Sequence, residues 1–240
     1  MDAIRIEGLT KNYKDVVAVD NLTLSVKKGE LFSLLGVNGA GKTTTIKMLC
    51  TLTQPTSGDA YLNGKSVKSE ADEVKKIIAV SPQETAVAPN LSVLENLKLI
   101  CGIYGFSNQS EKIDNLVKLL GLESVVNKKA GKLSGGFQRR LRIAMALVSD
   151  PQILFLDEPT LGLDVIARSD LWDVIRSLKG DVTIILTTHY MEEAEALSDR
   201  VAIMKEGRLI ACDTAENIKK AAQTNSFEEA FIRIVKEAAK

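Results

Sequence analysis

The sequence predicts an α/β fold interrupted by a helical insert. A glycine-rich octet, Gly36-Val37-Asn38-Gly39-Ala40-Gly41-Lys42-Thr43, lies between an apolar run that reads as strand and a segment that reads as helix. Apolar runs of strand length occur before residue 82 and return after Pro151. Between them, residues 90–150 read as helix after helix.

The elements follow in order. Ile4–Ile6, Leu22–Val26 and Leu31–Leu35 are short β-like runs, and Lys28-Gly29-Glu30 and Asn63-Gly64 are turn or hairpin signals. Thr43 to Leu49 reads as the start of a helix. Residues 77–81, Ile-Ile-Ala-Val-Ser, read as a buried strand stopped by Pro82. Ser92-Val93-Leu94-Glu95 is a capping box that opens one helix. Ile113, Leu116, Val117, Leu119 and Leu120 give the apolar face of another. Strands return at Ile153–Leu156, Val182–Leu186, Val201–Met204 and Arg208–Ala211. Ser226-Phe227-Glu228-Glu229 is a second capping box, before an amphipathic helix over about 226–239. Its stripe of Phe227, Ala230, Phe231, Ile234, Val235 and Ala238 is expected to pack on its own domain, with a partner-binding helix as the alternative.

A chain of 240 residues can bury one large core. Lys+Arg and Asp+Glu each number 31, and this neutral balance argues against nucleic acid as a partner. No run approaches the ~18 apolar residues of a membrane span. Met1-Asp2-Ala3-Ile4-Arg5-Ile6-Glu7 lacks the apolar stretch of a signal peptide. Cys50, Cys101 and Cys212 are too few and too scattered for a zinc site or a disulfide framework, and read as small hydrophobes in a reducing cytoplasm.

The octet fits G-x-x-x-x-G-K-[ST], which a random chain of this size matches in roughly 1% of cases. Gly36, Gly39 and Gly41 allow positive φ and close backbone approach. Successive N–H groups can then form an anion nest, reinforced by the N-terminus of the following helix. Lys42 can reach β- and γ-phosphates, and the Thr43 hydroxyl can reach Mg²⁺. Ile153-Leu154-Phe155-Leu156-Asp157-Glu158 is an apolar strand ending in two carboxylates. Asp157 is placed to hold Mg²⁺, and Glu158 to orient an attacking water and accept its proton. Taken alone, the pair equally describes two surface acids at a strand end. His189 ends the strand Val182–Thr188, where it can reach a γ-phosphate; a lone histidine is more often structural or merely solvated.

Leu133-Ser134-Gly135-Gly136-Phe137, with the octet and with Leu156-Asp157-Glu158-Pro159-Thr160, resembles the ATPase subunit of ABC transporters over residues 3–212. The resemblance implies a P-loop NTPase core, a RecA-like mixed sheet with an antiparallel β subdomain, plus an inserted helical subdomain. The core would occupy 1–82 and 151–212, the helical subdomain about 83–150, within one domain of 1–240. It assigns Gly36, Asn38, Gly39, Ala40, Gly41, Lys42, Thr43 and Thr44 to ATP. It places Ser134, Gly135 and Gly136 on the γ-phosphate of ATP held by the opposite subunit. Ser134 is also a good N-cap for the next helix, which leaves the double glycine for the phosphate to explain. Phe137 departs from the usual glutamine, with Gln138 one place later. Gln83 matches a glutamine that senses Mg²⁺ or the attacking water, Tyr13 an aromatic that stacks on adenine (an ordinary core tyrosine is its rival), and His189 the switch histidine. Leu161-Gly162-Leu163-Asp164 matches a loop that sends Asp164 to the second subunit.

The resemblance further implies a head-to-tail dimer, of identical or different chains, closing around two ATP molecules with Mg²⁺. An integral-membrane permease would dock beside Gln83, around residues 84–105, on the cytoplasmic face of the membrane. Asn96–Leu99, Gly102–Gly105 and Phe227–Phe231 look most like the branch that exports drugs, ions or peptides, and a lipid-like cargo fits the same expectation. The alternatives are an ABC-type ATPase acting on DNA or ribosomes, and a P-loop metabolic kinase. The single copy of each motif and the neutral charge oppose the first, and the double-glycine signature opposes the second.

Overall fold

The structure is a computed structural model, and it describes residues 1–82, 87–106 and 108–238. β1 (Asp2–Tyr13) and β2 (Val16–Lys27) form a long antiparallel pair. β3 (Leu31–Leu35) then enters a second sheet, and α1 (Lys42–Leu49) follows the octet. β4 (Ser57–Leu62) and β5 (Lys65–Ser66) rejoin the first sheet. Asn63 and Gly64 connect them at φ 47° and 83°, the positive pair that a two-residue type I′ hairpin turn demands. α2 (Ala71–Lys75) leads to β6 (Ile78–Ser81). The helical segment holds α3 (Val93–Tyr104), α4 (Gln109–Leu119) and α5 (Gly135–Leu147). Then come β7 (Ile153–Asp157), α6 (Val165–Ser177), β8 (Thr183–Thr188), α7 (Met191–Leu197), β9 (Arg200–Lys205), β10 (Arg208–Asp213), α8 (Ala215–Ala221) and α9 (Phe227–Glu237).

The first sheet runs β2-β1-β4-β5 and is antiparallel. The second runs β10-β9-β3-β8-β7-β6 and is parallel except for β10 against β9. Its central strands are covered on both faces, which is why they read as continuous apolar runs. Phe32, Leu34, Ile153, Phe155 and Ile185 face a core shared with the antiparallel sheet and α1. Leu154, Leu156, Ile184 and Leu186 alternate to the other face, under the helical segment and α6. Leu35 pairs with Thr188, and Asp157 with Thr187. The register therefore ends the octet's strand and both polar strand ends at one edge of the sheet, where open α/β sheets bind ligands.

Several expectations are corrected. β1 and β2 extend far beyond Ile4–Ile6 and Leu22–Val26. One face of this ribbon is polar, so apolar runs record only its core-facing stretch. β4 had no apolar run to announce it, because only Ala60 and Leu62 are fully buried. Ser92 forms the full capping box: its Oγ accepts from Glu95 N at 3.2 Å, and Glu95 accepts from Ser92 N at 2.7 Å. Ser226 forms only half of one, accepting from Glu229 N at 3.4 Å, because the Glu229 carboxylate takes the Thr224 hydroxyl instead. Along α9, Phe227, Ala230 and Phe231 are buried against α7, α8 and β10, while Ala238 at the end of the stripe is exposed.

On α4, Ile113, Leu116, Val117 and Leu120 face the core, but Leu119 is 43% exposed. At 100° per residue, 119 falls off the stripe set by 113, 116, 117 and 120. Ile113→Ala is expected to cost about 2–5 kcal/mol of stability by denaturant unfolding. Leu119→Ala should stay within about 0.5 kcal/mol.

Candidate active site

The octet turns sharply where β3 ends. A Cβ on Gly36 would lie 2.5 Å from the Met204 carbonyl of β9, and one on Gly41 would lie 2.5 Å from the Ala18 carbonyl of β2. Gly41 also sits at φ 100°, so a side chain there is excluded twice over. The turn between β9 and β10 closes on the loop, with Gly207 N donating to Ala40 O at 3.1 Å. The loop is thereby held from two strands before any ligand is considered.

Lys42 opens α1 and is only 6% exposed. Its ammonium donates to the carbonyls of Gly36 at 2.7 Å and Val37 at 3.3 Å. Burial pulls the group below the usual lysine range, and the charges of Glu158 and Asp157 oppose that shift. A cation so poorly hydrated is well matched to an anion. Around it lies a cavity of about 900 Å³. One wall is Asn38 to Thr44, the second is Glu158, Leu161 and His189, and the third is Val16, Val17 and Ala18.

The second wall is tightly built. The Thr187 hydroxyl on β8 donates to Asp157 Oδ1. Glu158 has φ 46°, a left-handed backbone that costs a non-glycine residue about 1–2 kcal/mol. Its N–H donates to Thr187 O at 3.0 Å, and its carbonyl accepts from Arg139 Nη2 at 3.0 Å. Its Oε1 lies 3.2 Å from His189 Nδ1. Three elements thus hold Glu158: β8 and α5 through its backbone, and the residue after β8 through its carboxylate.

The octet from Asn38 onward, Thr44, Glu158 and His189 are brought together at this cavity. Asp157 lies just behind, half-buried, and Gly36 shapes the loop from beneath. Tyr13 is not among the lining residues; it is half-exposed with the Lys11 ammonium 5.0 Å from its ring centre, and Val16 and Val17 supply the apolar wall instead. Asp164 is also elsewhere, capping α6 by accepting from Ile166 N at 3.0 Å and Ala167 N at 2.9 Å. Gln83 lies outside the described residues.

Ser134 and Gly135 are exposed at the start of α5, apart from the cavity. Ser134 occupies the N-cap position, but its side chain makes no cap hydrogen bond. The double glycine also packs closely: a Cβ on Gly135 would lie 3.2 Å from a Leu163 methyl, and one on Gly136 would lie 3.3 Å from the Ala167 Cβ. Phe137 packs on the helical core with the Arg140 guanidinium 5.6 Å from its ring centre, and Gln138 donates to the Ala130 and Leu133 carbonyls.

Sequence reasoning missed Arg139, Thr187 and the valine wall. Thr187 carried a signal, as a polar residue ending an apolar strand. The valines carried a misleading one, since adjacent valines read as core, yet here they are 63% and 50% exposed.

The chemistry of the donor set can be tested against a nucleotide triphosphate with Mg²⁺. Among the described residues no group of three or more His, Cys, Asp or Glu side chains could hold a metal alone. Mg²⁺ commonly takes one or two carboxylates plus substrate phosphates. Asp157 and the Thr43 hydroxyl beside a phosphate loop fit that requirement.

Residues 19–161 match the family model described as ABC transporter. The chain is 39% identical over 241 residues to the probable multidrug ABC transporter ATP-binding protein YbhF of Escherichia coli, covering 97% of this chain and 41% of that protein. It thus spans about two fifths of that relative's length. It is 45% identical over 211 residues to the Nod factor export ATP-binding protein I of Burkholderia orbicola, covering 87% of this chain and 69% of that one. Among solved structures, a dimeric ATP-binding cassette in a post-hydrolysis state, bound to ADP and Pi, superposes with a TM-score of 0.77 at 28% identity. That match covers 88% of this chain and 98% of the other. The octet, the paired strand ends and these matches agree, and the chain belongs to the ABC transporter family as an ATP-binding domain.

Proposed function

We propose that the chain is the ATP-hydrolysing, energy-coupling subunit of a membrane exporter, working as a head-to-tail dimer. One observation carries the dimer: Ser134 and Gly135 stand exposed at the head of α5, outside the cavity that holds the octet. A phosphate-binding helix start that does not face its own phosphate loop is complemented by a second copy. The solved neighbour that is dimeric with ADP and Pi bound supports a dimer.

Within one site the roles follow from position. The N–H groups of the octet and the Lys42 ammonium hold the phosphates. Asp157 and Thr43 would hold Mg²⁺, which supplies charge neutralisation and orientation when bound. Glu158 accepts the proton of the attacking water at its carboxylate, and His189 Nδ1 keeps that carboxylate aimed. Val16 and Val17 offer an apolar surface to a base. The exposed Leu99, Ile103 and Tyr104 of α3 offer the permease a contact on the cytoplasmic face of the membrane. An exported cargo is supported by two relatives, the probable multidrug transporter protein YbhF and the Nod factor export protein. No helix among the described residues is long and apolar enough to cross a membrane.

The test is turnover by the purified chain. ATP hydrolysis should require Mg²⁺ and rise more steeply than linearly with protein concentration. Turnover strictly proportional to concentration, by a species that sediments as a monomer with ATP bound, would overturn the dimer. Co-purification with a multi-helix membrane protein separates transport from other uses of ATP.

A further inference from the structure

We propose that Arg139 is a positioning residue that couples the two nucleotide sites of the dimer. Its guanidinium ties the backbone of Glu158, which serves this chain's own phosphate loop, to the helix whose first turn serves the partner's. This rests on the dimer reading above.

Arg139 is 4% exposed, unusual for a side chain that keeps its charge. Its Nη2 donates to Glu158 O at 3.0 Å, and its Nη1 to Pro82 O at 3.3 Å. Those two carbonyls follow the ends of β7 and β6, adjacent parallel strands with Ser81 opposite Leu156. One planar fork thus spans the ends of two adjacent strands, one of them leading into Glu158. A lysine, with a single point of charge, does not reproduce that span. Burial and the neighbouring Arg142 lower the guanidinium to about 10, against the opposing charges of Glu193, Asp157 and Glu158. Burying a cation is costly, so its retention here beside two backbone carbonyls points to a geometric task.

The other end of the link is α5 itself. Arg139 lies four residues after Gly135, one turn into the helix. The first turn is closely packed, with Gly136 buried and little room for a side chain between Gly135 and Leu163 or between Gly136 and Ala167. A phosphate seated on that turn therefore loads the whole helix rather than a loose end. The load reaches Glu158 through its carbonyl, and the Glu158 backbone is held at φ 46°, where it has few alternatives. Moving that peptide re-aims the carboxylate beside His189. Occupation of the partner's site thereby sets the base of this one.

The experiment compares wild type with Arg139→Lys, and with Arg139→Gln as a second variant that removes the buried charge. Each is measured for kcat, KM and Hill coefficient for ATP, and each is repeated in a Glu158→Gln background for ATP-dependent dimerisation. The expected result is a fall in kcat of roughly 10- to 100-fold. KM should hold and the Hill coefficient should drop toward one, while ATP dimers still form in the Glu158→Gln background. Wild-type kcat and Hill coefficient, with only a lower melting temperature, would overturn the proposal and leave Arg139 a role in packing alone. Joint loss of hydrolysis and of the ATP dimer would also overturn it, by assigning Arg139 to the interface. Absence of turnover in wild type would instead bring down the ATPase reading, and the coupling with it.

Discussion

Replacing Glu158 by glutamine should leave ATP binding intact, cut steady-state hydrolysis by about 10²- to 10⁴-fold, and accumulate a stable ATP-bound dimer. The exchange is nearly isosteric. It leaves the Glu158 backbone bonds to Thr187 and Arg139 in place, because those use the N–H and carbonyl. The side chain keeps a polar contact with His189 but can no longer accept a proton from water. The γ-phosphate then stays between octet and signature, and the closed state persists because opening depends on losing it. Size-exclusion chromatography with ATP against ADP reads the dimer, and phosphate release reads the turnover. Hydrolysis at the wild-type rate in this variant would remove Glu158 from its role as base.

How much of this site the sequence revealed depended on whether a role is local. The octet was fully legible, because glycine spacing, lysine and the flanking strand and helix lie within a few consecutive residues. Asp157 and Glu158 were legible only beside the octet, since charges ending an apolar strand equally describe two surface acids. Arg139 was not. Nothing near it in sequence says that its guanidinium reaches carbonyls that follow two different strands. The valine wall failed differently. Val16 and Val17 are exposed because the hairpin carries them past the core to the cavity, and only the long β1–β2 pairing reveals that. The double glycine at 135–136 was read from its phosphate role, and the structure adds close packing on Leu163 and Ala167 that no local pattern announced. The fold was legible where strands are buried on both faces and illegible in the two-faced ribbon, where alternation with bulges dilutes the apolar signal.

Lys42→Ala should abolish nucleotide binding at concentrations that saturate wild type. Each charge-assisted hydrogen bond from the ammonium to phosphate is worth about 1.5–3 kcal/mol, or roughly 10- to 150-fold in affinity. Two such bonds carry the dissociation constant out of any useful range, which calorimetry reads directly. The fold should survive, since the change removes a buried, poorly hydrated cation whose protein partners are two loop carbonyls beside an open cavity. Lys42→Arg should fail as well, because Lys42 is only 6% exposed and a larger planar guanidinium replaces a compact ammonium held between the Gly36 and Val37 carbonyls. The two lesions then order themselves. Glu158→Gln stops the reaction after binding, while Lys42→Ala stops it before. A chain carrying both should behave as Lys42→Ala alone, monomeric in ATP, because a trap that needs the γ-phosphate cannot close on a site that never holds it. A double variant that still dimerised with ATP would mean that the signature side binds nucleotide without the octet, and would reverse the assignment of holding and closing between them.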